Sequence, residues 1–142
     1  MKYVLVTGAS GGMGSKTIAQ LLDIGYGVIA MDNKDCLAVP NNVQYIQADI
    51  TDERSVLHAF EKVKNITDSI YAIVHFAGIY MLDSLVEIST AYFERIMKCN
   101  LFGAYLINKI FLPLIQKGGK IIVTTSELAP LNPLPFGIIW GH

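Results

Sequence analysis

The sequence predicts an α/β protein built on a doubly wound parallel sheet of about five strands, and three observations carry that expectation. Short β-branched apolar runs recur along the chain, helix-length segments separate them, and a glycine cluster joins the first run to the first helical segment. Runs that are apolar throughout, without strict alternation, belong to strands covered on both faces. The expected strands are residues 3–7, 27–31, 43–48, 70–76 and 120–125, and the expected helices are residues 14–24, 52–63 and 90–116, with a short turn after Tyr80. Strand, helix, strand in alternation implies right-handed crossovers. Gly25 closes the first helix and Gly118-Gly119 the long one, as left-handed caps. Pro130, Pro133 and Pro135 forbid regular structure near the end of the chain. The expectation is one domain over residues 1–142, with an irregular Pro-rich segment from about residue 127.

Composition narrows the class. A chain of 142 residues is long enough for one domain with a real core, and 52% apolar against 16% charged residues excludes intrinsic disorder. Eleven Lys and Arg against twelve Asp and Glu give a net charge of −1 with no basic run, which argues against a nucleic-acid surface or an anionic membrane surface. Mean hydropathy is +0.42, but the longest near-apolar stretch, residues 70–82, contains His75 and Gly78 and is too short to span a bilayer. The N-terminus reads as a first strand and not as a leader peptide. Cys36 and Cys99 fit neither a metal spacing nor a disulfide framework, so a reducing cytoplasm is expected.

In the long helix Phe93, Ile96, Met97, Asn100, Ala104, Ile107, Phe111 and Leu114 recur every three or four residues, which places Asn100 inside an apolar stripe. Leu101, Phe102, Tyr105 and Ile110 lie on the other sides. A helix apolar nearly all round needs a second partner surface, so a homo-oligomer through the helix of residues 90–116 is expected.

The chemistry begins at Thr7-Gly8-Ala9-Ser10-Gly11-Gly12-Met13-Gly14, between the first strand and the first helix. Glycines there permit a tight turn, close approach of backbone to a pyrophosphate, and close helix-to-strand packing, with the phosphates at the helix N-terminus. A plain strand-to-helix turn needs at most one or two glycines. Asp32 ends the second strand, eighteen residues after Gly14. A carboxylate there accepts hydrogen bonds from both adenosine ribose hydroxyls and repels a 2′-phosphate, which selects NAD over NADP. No Arg is near it in sequence to reverse this, although Lys34 offers a counter-charge; the alternative is a solvated turn residue. Asp49-Ile50 follows the third strand, where the carboxylate meets the adenine amine or where Asp49 or Thr51 simply starts the next helix.

With these residues in hand, the chain resembles the short-chain dehydrogenase/reductase family. Thr7, Gly8, Gly12 and Gly14 match the family's TGxxxGxG loop, while Gly8, Gly11 and Gly14 also satisfy the TGxxGxxG form of its extended members, so the loop does not choose a subfamily. His75-Phe76-Ala77-Gly78 stands where the family has NNAG, with only Ala77 and Gly78 kept. The resemblance implies a Rossmann fold, NAD as cofactor, and hydride transfer between nicotinamide and an alcohol or carbonyl substrate. It places the cofactor on Thr7, Gly8, Gly11, Gly12, Met13, Gly14, Asp32, Asp49, Ile50, Ala77 and Gly78. It makes Ser126 the residue that orients the substrate and Asn100 the one that holds a water in a helix kink and joins the proton relay.

The family's Tyr-x-x-x-Lys pair falls differently. Its Tyr position is Trp140, which has no ionisable proton for acid–base work, and its Lys would fall near position 144. Two readings of the chain follow: a shortened piece of a longer enzyme, or a natural short form that keeps cofactor binding with little or no turnover. A non-catalytic NAD-binding sensor or scaffold subunit is the alternative function, and an interaction domain without a nucleotide is a third. Elsewhere, His75 reads as a neutral core histidine bonding a neighbouring loop, His58 as a surface residue, and Cys99 as core with no feature to lower its pKa. Tyr80 and His75 are the first candidates for a proton donor should turnover occur without the Tyr.

Overall fold

In the computed structural model, described over residues 1–35, 39–40, 42–80 and 86–124, the strands follow the expected order. They are β1 (Tyr3–Thr7), β2 (Gly27–Asp32), β3 (Val43–Gln47), β4 (Ile70–His75) and β5 (Ile115–Val123). All pair in parallel, in the order β3-β2-β1-β4-β5. The helices are α1 (Gly12–Asp23), α2 (Glu53–Lys64), α3 (Thr90–Met97) and α4 (Gly103–Phe111). A π-helical turn, Lys98–Phe102, joins α3 to α4, so the long helix is continuous but widened around Asn100.

The two-residue period of the strands divides the core between the two faces of the sheet. Val4, Val6, Val28, Ala30, Ala72 and Val74 pack with Ile18 of α1 on one face. Leu5, Ile29, Met31 and Ile73 pack with Val56 and Val63 of α2 and with Ile107 and Phe111 of α4 on the other. Phe60 meets Phe111 edge to face at 5.3 Å between ring centres and ties α2 to α4. Such a two-faced parallel sheet is the doubly wound Rossmann-type arrangement, and its chain order reverses between β1 and β4.

Local chemistry explains the element ends. Gly25, at φ +85°, closes α1: its N–H reaches the Leu22 carbonyl while Tyr26 N–H reaches that of Leu21. Asp52 caps α2 by accepting from Arg54 and Ser55 N–H, so neither Asp49 nor Thr51 starts that helix. Two expectations need correction. The long helix ends in a 3-10 turn, Leu112–Leu114, because Pro113 has no N–H with which to continue it. Gly118 therefore caps no helix: β5 already begins at Ile115, and Gly118, at φ +79°, sits in the irregularity where the register with β4 passes from Ile70–Ile115 to Ala72–Lys120. Cys36, Ser126, Trp140, the Pro-rich segment and the last residue of the expected fifth strand lie outside the described residues.

His75 ends β4 and is buried, as a core histidine would be, but its partner is a helix and not a loop. Its Nε2 lies 2.9 Å from Asn108 Oδ1 on α4, and its carbonyl accepts the Thr124 hydroxyl at 2.7 Å. Burial pulls the His75 pKa below its ordinary value of 6.5, only partly opposed by the Asn108 bond. The unfolded chain therefore takes up this proton before the folded one does. His75's contribution is complete above the unfolded pKa and is lost as pH falls through 6.5 towards the lower folded value. The unfolding free energy from denaturant titration should fall between pH 7 and pH 5, this group adding at most about 1.4 kcal/mol per pH unit, and His75→Gln should flatten that slope. An unchanged slope in the variant would assign the acid sensitivity elsewhere.

Candidate functional site

A cavity of about 480 Å3 opens at the carboxyl ends of the strands, where the chain order reverses. Ligand sites of doubly wound sheets form in that crevice. Of the residues expected to hold the cofactor, Gly8, Gly11, Asp32, Asp49, Ile50, Ala77 and Gly78 line it, whereas Thr7, Gly12, Met13 and Gly14 stand outside its lining.

The glycine loop is shaped by two contacts that no side chain could share. At Gly8, φ is +66°, and an added Cβ would lie 2.5 Å from the Phe76 carbonyl carbon and the Ala77 nitrogen. At Gly14 it would lie 2.3 Å from the Gly8 carbonyl oxygen. Both glycines bring the loop, α1 and the end of β4 together. Gly12 differs: nothing stands within 4 Å of its added Cβ. The protein's own packing makes no demand for glycine there, whereas a ligand lying against the backbone would. No side chain caps α1, and its first turn holds no acid, so the N–H groups of Gly12, Met13 and Gly14 face the loop side with their partial positive charge uncompensated.

Asp32 fastens this loop to the second strand. Its Oδ2 accepts Ser10 N–H at 2.9 Å and its Oδ1 accepts Lys34 N–H at 3.3 Å. Burial alone would raise the carboxyl pKa, but the hydrogen bonds from Ser10, Lys34 and Asn33 outweigh it and hold Asp32 below its ordinary value. An ionised carboxylate has about four acceptor positions, so capacity remains for ligand hydroxyls. Asp49 turns back on its own segment: Oδ1 accepts both Thr51 N–H at 2.8 Å and the Thr51 hydroxyl at 2.7 Å.

The strap after β4 hangs from two points. Thr7 holds its near end, its carbonyl accepting Phe76 N–H at 3.1 Å and its hydroxyl accepting Ala77 N–H at 3.3 Å. Asn100 holds its far end, with Oδ1 accepting Ile79 N–H and Nδ2 donating to the Ile79 carbonyl, each at 2.7 Å. Both ends of the Asn100 amide are thereby engaged on backbone, which makes it a positioning residue for Phe76–Ile79. The π-helical turn around Asn100 widens the helix by one residue per turn, and Gly103 then lets α4 close onto Ile50, where an added Cβ would meet Ile50 Cδ1 at 2.6 Å.

Sequence reasoning missed Arg95 and Lys98, which line the same cavity from the α3 side. Arg95 and Lys98 thus bring cationic groups to the cavity that holds Asp32. The signal was their spacing of three residues and its continuation to Cys99, one helical face. Cys99 belongs to that wall as well, not to the core; burial and the Asp49 charge push its thiol pKa up, with Arg95 partly opposing. His58 is exposed, and Tyr80 is exposed at the end of the strap. Among the described residues no three His, Cys, Asp or Glu come together to hold a metal ion, and no helix is long and apolar enough to cross a membrane.

Comparison with known proteins agrees with this geometry. The sequence pattern of the short chain dehydrogenases matches residues 2–140, and the chain belongs to that family of oxidoreductases. Curated relatives include the short-chain dehydrogenase/reductase tropE of Talaromyces stipitatus, 28% identical over 94% of this chain and 56% of its own length. The uncharacterized oxidoreductase YbbO of Escherichia coli is 33% identical over 92% of this chain and 51% of its own. The chain thus spans about half the length of the curated relatives it matches. A short chain dehydrogenase family protein from Francisella tularensis has the same fold, with a TM-score of 0.84 at 24% identity over 94% of this chain and 55% of its own. A short chain dehydrogenase from Leptospira borgpetersenii carries bound NAD+ (TM-score 0.70, 27% identity, 77% of this chain and 44% of its own). ElxO carries NADP (TM-score 0.83, 26% identity, 95% of this chain and 59% of its own).

Three substitutions separate fold from site. Gly12→Ala should leave stability unchanged or raise it by up to about 1 kcal/mol, while Gly14→Ala should cost at least about 2 kcal/mol because the new Cβ meets backbone. Asn100→Leu should cost about 2–4 kcal/mol, since it strands two polar groups of Ile79. Thermal and denaturant unfolding of the three variants measures each.

Proposed function

We propose that this chain is the NAD-binding part of a short-chain oxidoreductase. The observation that carries the reading is the ionised Asp32 tied to the glycine loop beside the uncapped start of α1. The residues present fit such a group. The N–H groups of Gly12, Met13 and Gly14 take the pyrophosphate, Gly8 and Gly11 let it approach, and Thr7 and Gly14 brace the loop. Asp32 accepts the adenosine ribose hydroxyls, Asp49 the adenine amine, and Ile50 packs on the base. Ala77 and Gly78, held between Thr7 and Asn100, border the nicotinamide ribose.

Nicotinamide, when bound, supplies the hydride acceptor or donor for an alcohol or carbonyl substrate. Ser126 orients that substrate, and Asn100 fixes the strap against which it reacts. At the family's Tyr position stands Trp140, which gives no proton, so the residues given hold the cofactor with little turnover; general acid–base groups contribute about 10²–10⁴-fold. That substitution also favours the second reading, a non-catalytic NAD-binding sensor or scaffold subunit. The exposed Leu101, Phe102, Tyr105 and Leu112 along the long helix favour a homo-oligomer built on it, in a cytoplasmic setting.

Calorimetric titration should give tighter binding of NAD than of NADP, and equal affinities would remove the role of Asp32. NADH consumption over a panel of ketones should be slow, and rapid turnover would place the proton donor on another residue, Tyr80 or His75 first. Light scattering at micromolar concentration should show an assembly larger than one chain, whereas a stable monomer would leave the long helix without its partner.

A further inference from the structure

One buried titratable group touches the frame of the cavity without lining it. His75 is 5% exposed and ends β4, one residue before the strap. Its backbone and its ring serve different partners. The carbonyl accepts the Thr124 hydroxyl, and the next residue, Phe76, gives its N–H to the Thr7 carbonyl and its own carbonyl carbon to the close approach of Gly8. The ring reaches the other way, to Asn108 on α4. His75 thus ties the seat of the glycine loop to the long helix.

Only one ring nitrogen is engaged. Because Asn108 Oδ1 accepts, Nε2 carries the hydrogen, and among the described residues Nδ1 makes no hydrogen bond. A proton entering at Nδ1 would place a charge and an unmet N–H inside the core. Nothing packed around the ring compensates it. Thr7 of β1 and Val123 of β5 stand in register with His75, the strap brings Phe76, Ala77 and Gly78, and α4 presents Asn108, none of them charged. Lys109, beside Asn108, is exposed and paired with Glu53 of α2. Burial and the Asn108 bond set the ring's pKa below 6.5, with no carboxylate or ammonium contributing. A protonated ring must therefore turn towards water and give up Asn108, and the end of β4 loses its tie to α4.

We propose that the His75–Asn108 pair is a proton-operated latch, which holds the end of β4 and its strap in the ligand-binding arrangement while the imidazole is neutral and releases them when it takes up a proton. Acid thereby lowers dinucleotide affinity, and a dinucleotide resting on Ala77 and Gly78 opposes protonation to the same extent. The inference rests on the dinucleotide reading above and adds to it a control by pH.

Calorimetric titration of the whole chain with NAD between pH 7.5 and pH 5.5 tests it, together with amide-exchange protection of Phe76 and Ala77 in the free chain. Affinity should fall at least about threefold over that span, and by no more than about tenfold per pH unit for a single proton, while protection falls with it. His75→Gln, whose amide can still donate to Asn108 but takes up no proton, should flatten both profiles. Asn108→Asp pairs a carboxylate with the imidazolium, so it should keep the latch shut in acid and flatten them as well. His58→Gln, on the exposed side of α2, should leave both slopes as in the wild type. A wild-type affinity independent of pH, or slopes unchanged in the two latch variants, would overturn the latch alone. A wild type that binds no NAD at pH 7.5 would overturn the dinucleotide reading, and the protection profiles would then decide the latch by themselves.

Discussion

Everything at the cavity depends on one close approach, that of the Gly8 backbone to Phe76 and Ala77. With φ at +66° and no room for a Cβ, Gly8 turns the chain off β1 and seats the loop directly on the end of β4. Thr7, one residue earlier, can then use both its carbonyl and its hydroxyl on the strap. Gly14, six residues later, can bring the first turn of α1 onto the Gly8 carbonyl. Strand, loop, strap and helix start are thus fixed relative to each other by close backbone contacts, to which the Thr7 hydroxyl, the Asp32 carboxylate and the Asn100 amide add their hydrogen bonds. The donors at the start of α1 consequently follow directly on Gly11, the last residue of the loop that lines the cavity.

The polar groups then divide into those that hold the site and those that remain for a ligand. Thr7, Ser10 and Asn100 spend their hydrogen bonds on neighbouring backbone or on Asp32, and so keep the geometry. The first N–H groups of α1 have no side-chain partner, and the cations of the cavity have no salt bridge among the described residues. A frame satisfied internally beside donors that stay open suits an anion.

Much of this was legible in the sequence, for identifiable reasons. Parallel strands covered on both faces read as unbroken apolar runs, so β1 matched to the residue and β2 to β4 within one residue. Glycine spacing marked the loop because positive φ and backbone contact leave no other choice at Gly8 and Gly14. The end of the long helix was misplaced because Gly118-Gly119 looks like a cap, whereas Pro113 had already stopped the helix. Arg95 and Lys98 escaped notice because nothing in a linear chain says that a helix some sixty residues after Asp32 lines the same cavity. The partner of His75 was hidden for the same reason, since Asn108 reaches it across thirty-three positions.

The central claim is that the start of α1 forms a ready-made pyrophosphate cradle while the strap beside it is already closed. Residue-resolved amide hydrogen exchange with and without NAD measures both halves at once. The account predicts fast exchange at Gly12 and Met13 in the free chain, slowed strongly by NAD, and slow exchange at Ala77 and Ile79 in both states. Protection by NAD that appears at Ala77 and Ile79 while Gly12 and Met13 stay unchanged would contradict it.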